Sequence, residues 1–433
     1  MPSTPRPPPD EAPNEAYVWI WLPEATEPIV AGRIVRDRDG FVFNYGRSYL
    51  ARADRIPIYE PELPLRPGVI APAPDLTIAG CLRDAAPDAW GRRVILDRLT
   101  GARGRDADPG TLDELTYLLF SGSDRIGALD FQRSATRYVP RDPQPAPLDA
   151  LARAAERIER GLPLTPELER ALLHGTSLGG ARPKAGIADG DRRLIAKFSS
   201  SSDTYDVVKA EFVAMRLAAH VGLDVAPVRL ARAAGRDVLL VERFDRVPTA
   251  DGLARRAMVS ALTLLGLHEM TARYAAWEDL CEIVRSRFVN PRETLPELFA
   301  RLVFNVLVGN TDDHARNHAA FWDGTRLALT PAYDVCPQAR SGGEATQAMA
   351  IAGADRRSRL ATCLAAAPAF HLAPDAAERL IADQVRALKA AWPAVAAEAG
   401  LSPAARALME TRMLLPAYAF EEAPEGLVRL RGR

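Results

Sequence analysis

The segment D-D-H-A-R-N (312–317) sets an acid, Asp312, five residues ahead of a carboxamide, Asn317. A strand–turn–strand pattern follows, and a second acid, Asp334, comes just after it. Phosphoryl transfer asks for this order of groups. A carboxylate accepts the proton of the attacking hydroxyl, an amide oxygen five residues on holds a metal ion, and a second carboxylate beyond a hairpin shares the metals. Upstream, Lys197 lies in L-I-A-K-F, whose alternation predicts a strand that offers an ammonium to nucleotide phosphates. Glu211 falls 14 residues later in the next predicted helix, placed to pair with that lysine.

Only four of the 55 basic residues are lysines: Lys184, Lys197, Lys209 and Lys389. A position that keeps lysine in such a chain points to a need for a compact charge on a flexible stem rather than a planar fork. Lys184 ends the Gly-rich run G-T-S-L-G-G-A-R-P-K-A-G (175–186), which has neither G-x-x-x-x-G-K-[ST] nor G-x-G-x-x-G spacing. Backbone N–H groups around Gly179 and Gly180 still suit phosphate oxygens. Ser177 is a candidate phosphate acceptor, where about −1.5 to −2 of added charge would repel nucleotide phosphates and eject the loop. A rival stays open on the residues alone. Asp312, Asp313, His314 and His318 also suit a metallohydrolase, with the two histidines four apart. Against it, the segment follows a helix-ending glycine and looks like loop then strand, so Asp313 is expected in solvent and His314 to brace the loop.

The elements that must position these groups follow from pattern. Residues 17–22, 29–37, 41–46 and 49–59 alternate like strands, with a turn at Asp37–Gly40. Helices are predicted within 84–99, at 112–120, near 148–160 and near 166–174, with a strand at 121–132. Two strands flank Asp189-Gly190, and the helix 205–223 buries 208, 212, 215 and 219 before Gly222 caps it. A hairpin turns at Ala234–Arg236. Beyond residue 250 the chain turns helical, and one apolar helix (293–308) ends at Gly309 just before the D-D-H-A-R-N loop. A second hairpin turns at Asp323-Gly324. The fold class expected is α+β: a bilobal, protein-kinase-like core with a β-rich N-lobe, a helical C-lobe and a small β-rich N-terminal subdomain. The divisions expected are a disordered lead-in at 1–16, the subdomain at 17–138, the N-lobe with its Gly-rich loop at 139–247, and the C-lobe with the catalytic loop at 248–433.

Composition bounds the function. With 433 residues, more than one compact unit is expected. Lys+Arg 55 against Asp+Glu 56 leaves a net charge of −1, which argues against a stand-alone nucleic-acid binder. No apolar run approaches the ~20 residues of a membrane helix. Four scattered cysteines without C-x-x-C indicate neither a disulfide framework nor a cysteine zinc site, and suggest a reducing cytoplasm.

Taken together, these motifs resemble the HipA-type serine/threonine kinase toxins of bacterial type II toxin–antitoxin operons. The likeness runs through S-L-G-G-A-R-P-K (177–184), V-E-R-F-D-R (241–246), T-D-D-H-A-R-N (311–317) and L-T-P-A-Y-D (329–334). It extends to F-N-Y-G-R-S-Y-L (43–50), P-D-A-W-G-R (87–92) and I-G-A-L-D-F (126–131). The resemblance implies that Asp312 is the catalytic base, that Asn317 and Asp334 hold Mg²⁺, and that Lys197 grips ATP. It places Glu242 and Phe244 at the adenine, Asp245 near the ribose, and autophosphorylation on Ser177. It implies an aminoacyl-tRNA synthetase as substrate, a helix-turn-helix antitoxin of the HipB type as partner, and DNA bound only through that complex. Asp313 departs from the pattern, standing where a small residue such as Gly is common. Two other readings are a small-molecule or lipid kinase of related fold, and a catalytically silent partner of an antitoxin.

Overall fold

A computed structural model of the chain describes residues 12–38, 40–101, 108–141, 146–162, 165, 168, 180, 182–200, 203–339 and 342–432. The chain folds into two compact units, one of Met1–Asp203, Ala231–Val259 and Phe321–Thr325, the other of Thr204–Leu230, Ser260–Ala320 and Arg326–Arg433.

The first unit opens with strands β1 (Glu15–Ile20), β2 (Ile29–Asp37) and β3 (Gly40–Tyr45). With β4 (Leu129–Gln132) they form an antiparallel sheet in the order β3-β2-β1-β4. The lead-in expected at 1–16 lies outside the described residues through 11, while Glu15 and the fully buried Ala16 already belong to β1. The strand expected at 49–59 does not form. Arg47–Leu50 is one helical turn, and hydroxyls take over from a ladder: Tyr49 Oη donates to the Ile56 carbonyl and Tyr45 Oη to the Leu63 carbonyl, both at 2.7 Å. Helix α1 (Ala89–Thr100) stops at Gly101, whose φ of 72° is left-handed. Helix α2 (Glu114–Phe120) starts where the Asp113 carboxylate accepts from the Thr116 amide at 2.7 Å.

Helix α3 (Leu148–Glu159) leads toward a second antiparallel sheet, in which β5 (Lys184–Asp189) pairs with β6 (Arg192–Phe198). Strand β7 (Val228–Ala233) turns through Ala234 and Gly235, both with positive φ, into β8 (Arg236–Glu242), which pairs with β6. The division expected at 139 is not one between compact units. Trp90 and Val94 of α1 share a core with Leu151 of α3 and with Leu194, Ala196 and Leu240 of the second sheet. The helix expected near 166–174 lies outside the described residues.

In the second unit, helix α4 (Val207–His220) begins where Asp206 accepts from the Lys209 amide at 3.0 Å and ends at Gly222 with φ 86°. Its burial is wider than a stripe, since ten of its residues, Glu211 among them, are inaccessible and Ala219 is exposed. Helix α5 (Trp277–Arg287) and the long α7 (Pro374–Glu398) pack on α6 (Pro291–Leu307), which is buried along most of its length. Strands β9 (Ala319–Trp322) and β10 (Leu327–Leu329) follow. Among the described residues no helix is long and apolar enough to cross a membrane.

Candidate active site

The end of α6 fixes where the site begins. Gly309 takes φ 67°, its amide donates to the Val306 carbonyl (3.3 Å), and the Asn310 amide reaches back to the Asn305 carbonyl (2.9 Å). This pair of bonds is a Schellman stop, and it needs glycine, because a Cβ there would lie 2.8 Å from the Met413 carbonyl oxygen. The next residues form a tight loop. The His314 amide donates to the Asp312 carbonyl at 2.9 Å, and the Asn317 amide to the His314 carbonyl at 2.8 Å. Asn317 Nδ2 also donates to the Asp312 carbonyl, at 3.1 Å. That bond uses the amide nitrogen of Asn317 and leaves Oδ1 as its atom for a ligand.

Asp334 reaches the same place from β10. The Thr330 amide donates to the Ala319 carbonyl (3.2 Å), and Ala332 exchanges hydrogen bonds with Asp224 (2.8 Å) and Ala226 (2.9 Å). Asp334 then adopts φ 59°, a left-handed conformation that a side chain rarely takes and that aspartate tolerates better than most. Asp312 itself is exposed, with its carboxyl held above the usual carboxylate range. Partial loss of hydration contributes most, the charges of Asp334 and Asp313 add to it, and His314 opposes them. Two acids that disfavour each other's charge suit a site completed by a cation.

Asp313 is not in solvent. It is 1% exposed, and its Oδ1 lies 2.7 Å from His318 Nε2. His318 therefore faces a carboxylate inside the loop. Among the described residues no three His, Cys, Asp or Glu side chains gather around one point, so the cage a metallohydrolase requires is not assembled. Magnesium asks for less from protein, because it keeps waters and phosphate oxygens as ligands. The Asn317 oxygen and the Asp334 carboxylate are hard donors of that kind, and the residues fit the ion. His314 stays in the loop, its Nδ1 buried without a hydrogen-bond partner among the described residues.

On the first unit, Lys184 and Lys197 are direct cross-strand partners of β5 and β6 and share one face of the sheet. The opposite face carries the core residues Leu194, Ala196 and Phe198. Gly180 has φ 100°, and a Cβ there would overlap the Lys184 ammonium. The Asp88 carboxylate accepts from the Gly180 amide, and Trp90 Nε1 donates to the Lys184 carbonyl (3.3 Å). Ser177 and Gly179 lie outside the described residues. Glu211, on α4 in the second unit, is 3% exposed.

The end of β8 and the connector after it carry Glu242, Phe244 and Asp245. Glu242 faces Arg192 at 3.6 Å, and Phe244 sets its ring edge against Phe321 (5.8 Å between centroids). Asp245 is 2% exposed and spent on Arg243 (2.7 Å), Arg246 (2.8 Å) and the Gly127 amide (2.8 Å). A carboxylate so occupied does not serve a ribose. Its place is a pin between the connector and the N-terminal sheet's last loop.

Sequence reasoning passed over Arg301, and it considered Asp313 and His318 only as members of the rival metal set, not as partners of each other. Arg301 is buried on α6, and its guanidinium donates to Glu297 (2.8 Å) and to the carbonyls of Thr330 (2.9 Å) and Asp224 (3.1 Å). A charged residue inside an otherwise apolar helix face was the available signal.

Two family models match the chain: the HipA N-terminal domain over residues 22–132 and the HipA-like C-terminal domain over 176–392. A relative named Putative kinase Y4mE, from Sinorhizobium fredii, is 29% identical over 327 residues, covering 71% of this chain and 74% of that one. The Serine/threonine-protein kinase toxin HipA of Shewanella oneidensis is 26% identical over 183 residues, 37% of this chain and 42% of that protein. A solved structure of the Shewanella oneidensis HipA, HipB and operator DNA complex matches with a TM-score of 0.68 at 18% identity, covering 96% of this chain and 99% of that chain. The α+β, kinase-like fold expected from the sequence is the one found.

Proposed function

The chain belongs to the HipA family, and on that footing we propose that it is an ATP-dependent serine/threonine protein kinase acting as the toxin of a type II toxin–antitoxin pair. The observation that carries this is the convergence of Asp312, Asn317 and Asp334 in the second unit. The seryl hydroxyl of a target protein attacks the γ-phosphorus of ATP, the bond to the β-phosphate oxygen breaks, and ADP leaves. Asp312 accepts the seryl proton, and its exposure leaves it open to a protein substrate. Asn317 Oδ1 and Asp334 would hold Mg²⁺, which supplies positive charge against the phosphates when bound. Lys197 and Lys184 offer point charges to phosphate oxygens, and Gly180 keeps the backbone bare beside them.

The finer assignments belong to the same proposal. The substrate is an aminoacyl-tRNA synthetase, Ser177 is an autophosphorylation site, a HipB-type helix-turn-helix protein is the antitoxin, operator DNA is met through it, and the setting is cytoplasmic. The HipA–HipB–DNA assembly of the structural neighbour supports the partner.

The test is incubation with γ-labelled ATP, magnesium and bacterial lysate. Label in a protein band supports the proposal, and label only in small solutes overturns it in favour of a small-molecule kinase. Asp312→Asn abolishes transfer while ATP still binds. Because the Asp312 carboxyl is raised, the acid limb of kcat/KM lies above the ~3.9 of an unperturbed aspartate.

A further inference from the structure

The catalytic loop is spanned twice at the same five-residue interval. Asp312 and Asn317 carry the chemistry, and their neighbours Asp313 and His318 turn inward to meet at 2.7 Å. Both inner residues are buried, at 1% and 5% exposure. We propose that the Asp313–His318 pair is an internal staple that sets the span between Asp312 and Asn317, so that both are positioning residues for phosphoryl transfer. This rests on the kinase function proposed above.

Each end of the staple is anchored in a rigid element. The His318 ring lies 4.7 Å from the Trp277 ring of α5 at 66°, an edge-on contact, and the His318 carbonyl accepts from the Ala261 amide at 2.8 Å. At the other end, Asp313 Oδ2 and Asn310 Oδ1 are both buried acceptors without a donor among the described residues. They line one cavity with Arg301, Asn305 and Asn317, with about 10 Å³ of room for a water's centre. That volume suits a single water, and one water can donate to both acceptors. Asn310 Nδ2 in turn donates to Asn305 Oδ1 on α6 (3.0 Å). The loop is thus tied to α6 at Asn310 and, through Asp313 and His318, to α5. Such ties matter because a shift of about 1 Å in a reacting group can cost about 100-fold in rate.

The staple also accounts for Asp313 standing where glycine would be smaller. The carboxylate reaches across the loop, which glycine cannot do.

The experiment compares His318→Leu with His318→Gln, whose amide Nε2 can still donate to Asp313. Leu lowers kcat about 10- to 100-fold, the range for residues that orient reacting groups, with KM for MgATP near the wild-type value. Gln restores most of kcat. Hydrogen exchange of the peptide 310–319 speeds up in the Leu variant while exchange of α6 does not. Wild-type kcat and exchange in His318→Leu overturn the staple, as does loss of the whole fold in both variants. A wild-type protein that transfers no phosphate refutes the kinase function instead, and the exchange measurement still judges the staple.

Discussion

Arg301→Met is the most informative perturbation outside the reacting residues. The side chain is 3% exposed and near methionine in length, so the apolar stem is replaced and only the guanidinium is lost. What remains are the carbonyls of Thr330 and Asp224, whose bonds at 2.9 and 3.1 Å disappear. A buried acceptor left without a donor costs about 1–3 kcal/mol, and Glu297, partly exposed, can turn to water. The Asp224 carbonyl keeps the Ala332 amide as a donor, so only the Thr330 carbonyl is orphaned, and the expected destabilisation is about 1–3 kcal/mol, read as a lower urea midpoint at unchanged m-value. The two carbonyls also hold the segments on either side of Ala332, two residues from Asp334. Phosphoryl transfer should accordingly fall even at temperatures where the variant stays folded. Arg301→Lys, able to reach one carbonyl, should lose about half as much. A loss well under about 1 kcal/mol for Arg301→Met would refute the reasoning, because it would mean the Thr330 carbonyl finds another donor at no cost.

Asp245→Ala leaves the side chains of Arg243 and Arg246, each 1% exposed, with Asp124 as their one acidic partner among the described residues, and should cost about 3–5 kcal/mol in thermal or denaturant unfolding. Burial opposes the charge of Asp130, yet Arg125 and Arg141 hold its carboxyl at about 2. Its folded pKa is below the unfolded value, so its stabilisation is present above about pH 4 and is lost as pH falls toward 2, measurable as a midpoint that drops over that window. Gly180→Ala forces a Cβ into a left-handed backbone and into the Lys184 ammonium, and calorimetry should show nucleotide binding weakened by about 1–3 kcal/mol.

Much of the fold was legible because its signals are local. The alternation of β1 to β3, the glycines that stop α4 and α6, and the turn at Ala234-Gly235 each reflect a backbone preference that a few residues carry. The failures have the opposite character. The stretch 49–59 alternates like a strand, yet Tyr45 and Tyr49 find carbonyl partners that no pattern announces. The proline-rich segment near 139 looks like a linker, but Trp90 and Leu151 share one core across it. The resemblance sets Asp245 near a ribose, and it is instead enclosed by Arg243, Arg246 and the Gly127 amide, the last a partner far along the chain.

By itself, the sequence determined the order of the chemical groups: which acid comes first, which amide follows five residues later, and which acid comes after the hairpin. Covalent spacing fixes these, so no packing can alter them. Tertiary structure alone decided which acids face water and which face a partner. Asp312 and Asp313 are neighbours of the same type, and the difference between an exposed carboxylate and a buried, partnered one arises from where α5 and α6 place His318 and Asn310. Charge burial is set by surroundings in space, and the residues that supply them lie elsewhere in the chain.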